Sequence, residues 1–162
     1  MEQATEVKMV VADYANPAHG SAMLALMNTY ADELVDDKRE PFNESLIEAL
    51  GKRSYAFTIL CYVDGEIAGL ANCFESFSTF QGQPLINIHD FVVASAFRGR
   101  NISEALMAEI ESHARQRQCC RITLEVLEGN DIAQHVYRKH GFGPYRLDDI
   151  NGSALFWQKS LC

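Results

Sequence analysis

The sequence predicts an α/β (α+β) fold: a mixed, mostly antiparallel sheet of about six or seven strands with about four flanking helices. Three observations carry this reading. Two β-rich runs meet at Asp64-Gly65, a strong hairpin signal. Strand-like and helical runs then alternate from Leu85 to His140. Finally, no linker, internal repeat or low-complexity tract interrupts the 162 residues, so a single domain over residues 1–162 is expected.

Taken in order, Val7–Tyr14 is β-branched and reads as a strand closed by Asn16-Pro17. From about Ser21 to Val35, Met23, Leu26, Met27, Tyr30 and Leu34 recur at helical spacing. That helix ends among Asp32, Glu33, Asp36 and Asp37, whose charge opposes its dipole. Asn43 caps a short helix over Glu44–Leu50, and Gly51 stops it. The hairpin strands are Tyr55–Val63 and Glu66–Phe77. A polar loop, Ser78–Pro84, leads to a strand over Leu85–Ala94 and then to the basic turn Arg98-Gly99-Arg100. A helix over Ile102–Arg117 buries Leu106, Ile110 and Ala114. Arg121–Val126 is a strand, Asp131–His140 a helix ended by Gly141, and Pro144–Leu147 and Ala154–Lys159 are two last strands. Hairpins followed by strand–helix–strand units imply helices on both faces of a mixed sheet.

Composition excludes several classes. At 48% hydrophobic and 22% charged, the chain can bury a core and is not disordered. No stretch approaches the roughly 18 apolar residues of a membrane span, and Met1–Lys8 lacks a signal peptide's basic and apolar regions. A cytoplasmic protein with no membrane partner is expected. The formal net charge of −8 disfavours nucleic acid, which binds through phosphate neutralisation. The charge is uneven: residues 1–93 hold 14 acids against 5 bases, whereas residues 94–146 hold 8 bases against 6 acids. The basic middle suits a small anion, or is simply a local variation of surface charge. The five cysteines form no CxxC pair, so no metal site is expected and the thiols read as reduced, small hydrophobes.

Two stretches can carry chemistry. In Phe91-Val92-Val93-Ala94-Ser95-Ala96-Phe97-Arg98-Gly99-Arg100-Asn101-Ile102-Ser103, a strand feeds a turn that opens a helix. Free N–H groups and two arginines there would suit a phosphate, or the segment is an ordinary strand–helix turn with solvated arginines. Neither a P-loop nor a GxGxxG fingerprint is present. In Asn130-Asp131-Ile132-Ala133-Gln134-His135-Val136-Tyr137, followed by Gly141-Phe142, an N-cap opens a helix carrying Ala133 and Tyr137 on one face. Taken alone, Tyr137 reads as an aromatic packed against the sheet.

Together the two stretches resemble the signatures of the GNAT superfamily of acyl-CoA N-acyltransferases. Arg98, Asn101 and Ser103 stand at the positions of Arg/Gln-x-x-Gly-x-Gly/Ala. Asn130, Ala133, Tyr137, Gly141 and Phe142 match Asn-x-x-Ala-x-x-x-Tyr with its following Gly-Phe. The order and spacing fit over nearly the whole chain, although both glycines of the first signature are replaced. Asparagine is tolerated in left-handed backbone and serine adds a hydroxyl donor, so CoA binding should survive.

This resemblance implies an acetyl-CoA-dependent N-acetyltransferase in which an amine attacks the thioester directly. Pantetheine would run along Phe91, Val92 and Val93. The pyrophosphate would sit on Arg98, Gly99, Arg100, Asn101, Ile102 and Ser103, with Asn130 and Tyr137 also on the cofactor. Tyr137 is the family-matched general acid. His89, on the strand just ahead, is placed as the base; otherwise it is a histidine satisfied by Asp90 or by backbone. The flanks of that strand also resemble the diamine and polyamine acetyltransferase branch, which has a carboxylate where His89 stands. Asp32, Asp36 and Asp90 would then bind a cationic small-molecule amine, unless the acidic run is only a solvated helix face. Dimerisation is common in the family, and a homodimer is the assembly the resemblance allows. The alternative from another class is a catalytically idle acyl-CoA-binding module.

Overall fold

The computed structural model describes residues 5–34, 39–146 and 148–161. They form two compact units, residues 1–124 and 125–162. In the first, β1 (Val7–Val11) is followed by α1 (Pro17–Leu34), α2 (Glu44–Gly51), β2 (Ala56–Val63), β3 (Glu66–Ser78) and β4 (Gln83–Val93). A 3-10 turn (Ser95–Phe97), α3 (Ile102–Gln116) and β5 (Ile122–Leu124) complete it. The sheet runs β1-β2-β3-β4-β5, antiparallel up to β4 and parallel between β4 and β5.

Register decides which side chains meet which helix. Leu60 stands opposite Leu70, and Leu70 opposite Val92. These three share one core with Met23, Leu26 and Met27 of α1 and Ile47 and Leu50 of α2. Alternation sends the intervening residues to the other face, where α3 lies. There Phe57 stacks on His113 at 5.7 Å, and Leu106, Met107 and Ile110 are fully buried. Helices therefore cover both faces, as the element order implies. Burial pushes the Cys73 thiol up to about 12, which leaves it an inert hydrophobe in this layer.

The hairpin turn is where Asp64-Gly65 predicts it, with φ of 50° and 84°. Both central residues are left-handed, as a two-residue turn of primed type requires. Asn43 caps α2 by accepting from the Ser45 N–H at 3.0 Å. Other boundaries move. Helix α1 starts at Pro17, not near Ser21, because Asn16 Oδ1 accepts from the Ala18 N–H at 2.9 Å. Proline at the first helical position loses no intrahelical bond, so Asn16-Pro17 opens a helix as well as ending a strand. Strand β1 stops at Val11, β5 covers only Ile122–Leu124, and β4 begins at Gln83, inside the expected loop.

The second unit holds α4 (Asp131–Lys139) and no strand among its described residues. Among the described residues the sheet thus has five strands rather than six or seven. Strands are expected at Pro144–Leu147 and Ala154–Lys159; Leu147 lies outside the described residues, and the described ones form no strand there, only a bridge from Arg146 to Ser153 beside an Ala154 N–H bond to the Tyr145 carbonyl. Asp148 folds the intervening turn by accepting from Ile150 and Asn151. The backbone and then the side-chain hydrogen bonds from Asn151, with the backbone bond from Ile150, hold its carboxyl below the usual carboxylate range. Among the described residues no helix is long and apolar enough to cross a membrane.

Candidate active site

Strand β4 organises the candidate residues of the first unit. β5 accompanies it only from Ile86–Ile122 to Ile88–Leu124, while β3 stays with it to Gly69–Val93. The stretch Phe91–Val93 therefore extends beyond its parallel partner. Val92 is buried under α1 and α2, so what it could offer a ligand is backbone.

Beyond Val93 the chain turns tightly. The 3-10 turn closes with the Phe97 N–H on Ala94, Gly99 has φ of 75°, and Asn101 sits left-handed at φ 58°, ψ 24° before α3 begins. Asn101 occupies the backbone region that a signature glycine would favour, and asparagine is among the few other residues that visit it. Ile102 and Ser103 lie in the helix's first turn, whose N–H groups have no intrahelical acceptor. Those donors, the helix dipole and the guanidinium groups of Arg98 and Arg100 suit a pyrophosphate. Ser103 donates to the Glu104 carboxylate at 2.9 Å, and Arg100 lies over the Phe97 ring at 5.4 Å. Replacing Asn101 by alanine should cost about 1 kcal/mol through the left-handed φ, whereas Asn101→Gly should cost nothing. Thermal melts of the two variants, expected to differ by roughly 2–4 °C for a domain of this size, check this.

The acidic groups are engaged in specific ways. Arg98 binds Glu33 of α1 at 2.6 Å and donates to the Val93 carbonyl at 3.3 Å. This ties the turn to the end of α1. Asp32 pairs with Arg39 at 3.3 Å. Asp36 lies outside the described residues.

On β4 a bulge re-aims two side chains. Asn72 pairs with Asp90 but Cys73 pairs with Ile88, so His89 is the extra residue. Asp90 accepts from Asn72 Nδ2 at 3.0 Å, and His89 meets the Phe74 ring edge-on at 5.5 Å. Asn72 and Phe74 share the α1–α2 face, so His89 and Asp90 both turn toward it. Burial, then the charge of Asp90, raises the Tyr30 phenol on α1.

In the second unit, the Asn130 side chain caps α4 by accepting from the Ala133 N–H at 3.0 Å. At the other end Gly141, with φ of 83°, donates to Arg138, and Phe142 donates to the Tyr137 carbonyl at 3.1 Å. The Tyr137 and Phe142 rings meet at 6.0 Å. These two bonds and the ring contact form a complete Schellman cap. The sequence pattern Tyr-x-x-x-Gly-Phe is thus the device that ends the helix and fixes the tyrosine.

The first unit brings together His89, Asp90, Phe91–Val93 and the turn Arg98–Ser103 along one strand and its exit. Asn130 and Tyr137 share α4 and its cap in the second. Sequence reasoning missed Glu33, and it missed Asn72 and Thr58, both buried. The signal for the last two was a polar residue inside an apolar strand run, in Leu70-Ala71-Asn72-Cys73 and Phe57-Thr58-Ile59. Among the described residues no group of His, Cys, Asp or Glu is arranged to hold a metal.

Comparison with known proteins follows the same lines. The model of the acetyltransferase (GNAT) family matches residues 23–142. Streptothricin acetyltransferase of Streptomyces lavendulae is 37% identical over 93 residues, 57% of this chain. The match spans only 45% of that relative's length. An aminoglycoside N-acetyltransferase solved in complex with CoA superposes with a TM-score of 0.76 at 15% identity, covering 100% of this chain and 99% of the other. Ribosomal-protein-alanine N-acetyltransferase from Brucella melitensis biovar Abortus 2308 gives 0.71 at 16%, covering 97% and 99%. At these identities the structural likeness is one of fold.

Proposed function

The chain belongs to the acetyltransferase (GNAT) family, and we propose that it moves an acetyl group from acetyl-CoA to a primary amine by direct attack in a ternary complex. The observation that carries this is β4 running past β5 into a left-handed turn at the head of α3. That arrangement offers an extended backbone for pantetheine and unpaired helix donors for phosphate. Acetyl-CoA supplies the activated thioester.

In the transfer the amine nitrogen bonds to the acyl carbon and the carbon–sulfur bond breaks. Tyr137 hands its phenolic proton to the departing sulfur; a thiol near 8.5 and a phenol near 10 leave a modest gap. His89 removes the proton that the attacking amine must lose. Asp90 holds the cationic amine, assisted by Asp32 near the end of α1 and by Asp36. Small diamines and polyamines are the acceptors we favour. The relative named for streptothricin, and the neighbours named for aminoglycosides, support a larger polycationic amine as the next choice. The protein works in the cytoplasm, and a homodimer is its proposed assembly.

Thiol release from acetyl-CoA should be measured with putrescine, spermidine, streptothricin, an aminoglycoside and a peptide with N-terminal alanine. Turnover of a cationic amine is expected. Tight CoA binding with no turnover on any of them would instead identify an idle acyl-CoA-binding module. The replaced signature glycines are what raises that second reading. For the base, His89→Ala should remove the acidic limb of the kcat/KM profile. The rate at pH 7 should fall about 10²-fold. An unchanged acidic limb would assign the base elsewhere.

A further inference from the structure

Behind Asp90 lies a line of polar side chains that the transfer chemistry does not use. Thr58, Asn72 and Asp90 stand directly opposite one another across β2, β3 and β4, so all three project from the same face. Thr58 is 0% and Asn72 4% exposed, among the apolar side chains of Leu60, Leu70 and Val92. Tyr14 reaches Thr58 Oγ1 at 3.0 Å, Thr58 reaches Asn72 Oδ1 at 2.6 Å, and Asn72 Nδ2 reaches Asp90 Oδ2 at 3.0 Å. Nδ2 also touches Met27 Sδ at 3.4 Å.

The chemistry of these groups gives the line a direction. An amide oxygen only accepts, so Thr58 donates to Asn72. Its single hydroxyl proton is then committed, and Tyr14 must donate to Thr58. Every proton points toward Asp90, and the chain ends on a carboxylate oxygen. Such aligned bonds polarise one another, and a break leaves a buried group unsatisfied. Apolar residues could fill the same three register positions against Met27. What the polar trio adds is a carboxylate held in one orientation on the bulged strand.

We propose that Asn72, held in one orientation by Thr58 and Tyr14, is a positioning residue that sets the Asp90 carboxylate to receive a cationic acceptor amine. Oδ2 is engaged from behind, and Oδ1 is the oxygen offered to the ammonium group. The proposal rests on Asp90 being the amine-binding carboxylate.

A double-mutant cycle tests both levels, with spermidine and streptothricin as acceptors. Asp90→Asn should raise the KM of the amine at least tenfold and leave the KM of acetyl-CoA within about twofold. Thr58→Val, which keeps the side-chain shape, should raise the amine KM severalfold, and Tyr14→Phe roughly twofold. In the Asp90→Asn background neither change should add anything, because both act through that carboxylate. Effects that simply multiply in the double variants, or a parallel rise in the acetyl-CoA KM, would overturn the positioning role. An Asp90→Asn enzyme with an unchanged amine KM would overturn the reading beneath it. Tyr14→Phe, at the half-buried end of the line, keeps the test decisive if Thr58→Val does not fold.

Discussion

Tyr137→Phe should lower kcat by roughly 10²- to 10³-fold at neutral pH, with CoA affinity and thermal stability nearly unchanged. The size follows from the role proposed for the phenol. Without a proton the sulfur must leave as a thiolate, and only the general-acid contribution is removed. The specificity follows from the C-cap. The capping bonds run through the Tyr137 carbonyl and the backbone of Arg138, Gly141 and Phe142. A phenylalanine keeps these bonds and the ring contact with Phe142. Loss of rate without loss of fold would therefore come from the hydroxyl alone. Single-turnover thiol release at pH 7 and pH 9 makes the check sharper. The deficit should shrink at the higher pH, where a free thiolate with a pKa near 8.5 is the stable form. A variant as fast as the parent enzyme would remove Tyr137 from the chemistry.

What the sequence made legible was local. Asp64-Gly65, the Asn43 and Asn130 caps and the Gly141 terminator each act within a few residues, and each stands where the pattern predicts. The two signature stretches are equally local, since each is a turn joined to one end of a helix. The rest depends on chain segments far apart. Asn16-Pro17 carries two meanings, the end of a strand and the start of a helix, and the cap of Asn16 on Ala18 decides for the second only once the chain has left β1. The last two strand-like runs have β-rich residues but form no strand among the described residues, because strand formation needs a partner that the sequence does not name. The line from Tyr14 to Asp90 joins residues 44, 14 and 18 apart in sequence. It exists only once the register of three strands is set. Both Asn72 and Thr58 read in sequence as unremarkable polar interruptions. His89 gained a physical reason for its direction only from the bulge, which no spacing rule predicts.

Gly69 is the position where packing constrains the cofactor strand most tightly, and Gly69→Ala should destabilise the protein by about 2–3 kcal/mol. A β-carbon there would lie 2.8 Å from the Val92 carbonyl oxygen, 3.0 Å from Leu106 Cδ1 and 3.4 Å from Ile102 Cγ2. None of these can move easily. Val92 belongs to the β3–β4 ladder, and Leu106 and Ile102 are 0% and 2% exposed. Something must shift, and the candidates are the end of β4 or the first turns of α3. Those are the two elements proposed to hold pantetheine and pyrophosphate. The expected result is a fall in Tm of roughly 4–10 °C together with about tenfold weaker CoA binding by calorimetry. Gly143→Ala is the control, since nothing lies within 4 Å of its added carbon, and it should change neither quantity. If Gly69→Ala lowered Tm while CoA bound as before, the sheet would be yielding away from α3, and the cofactor strand would not be the element that this glycine keeps in place.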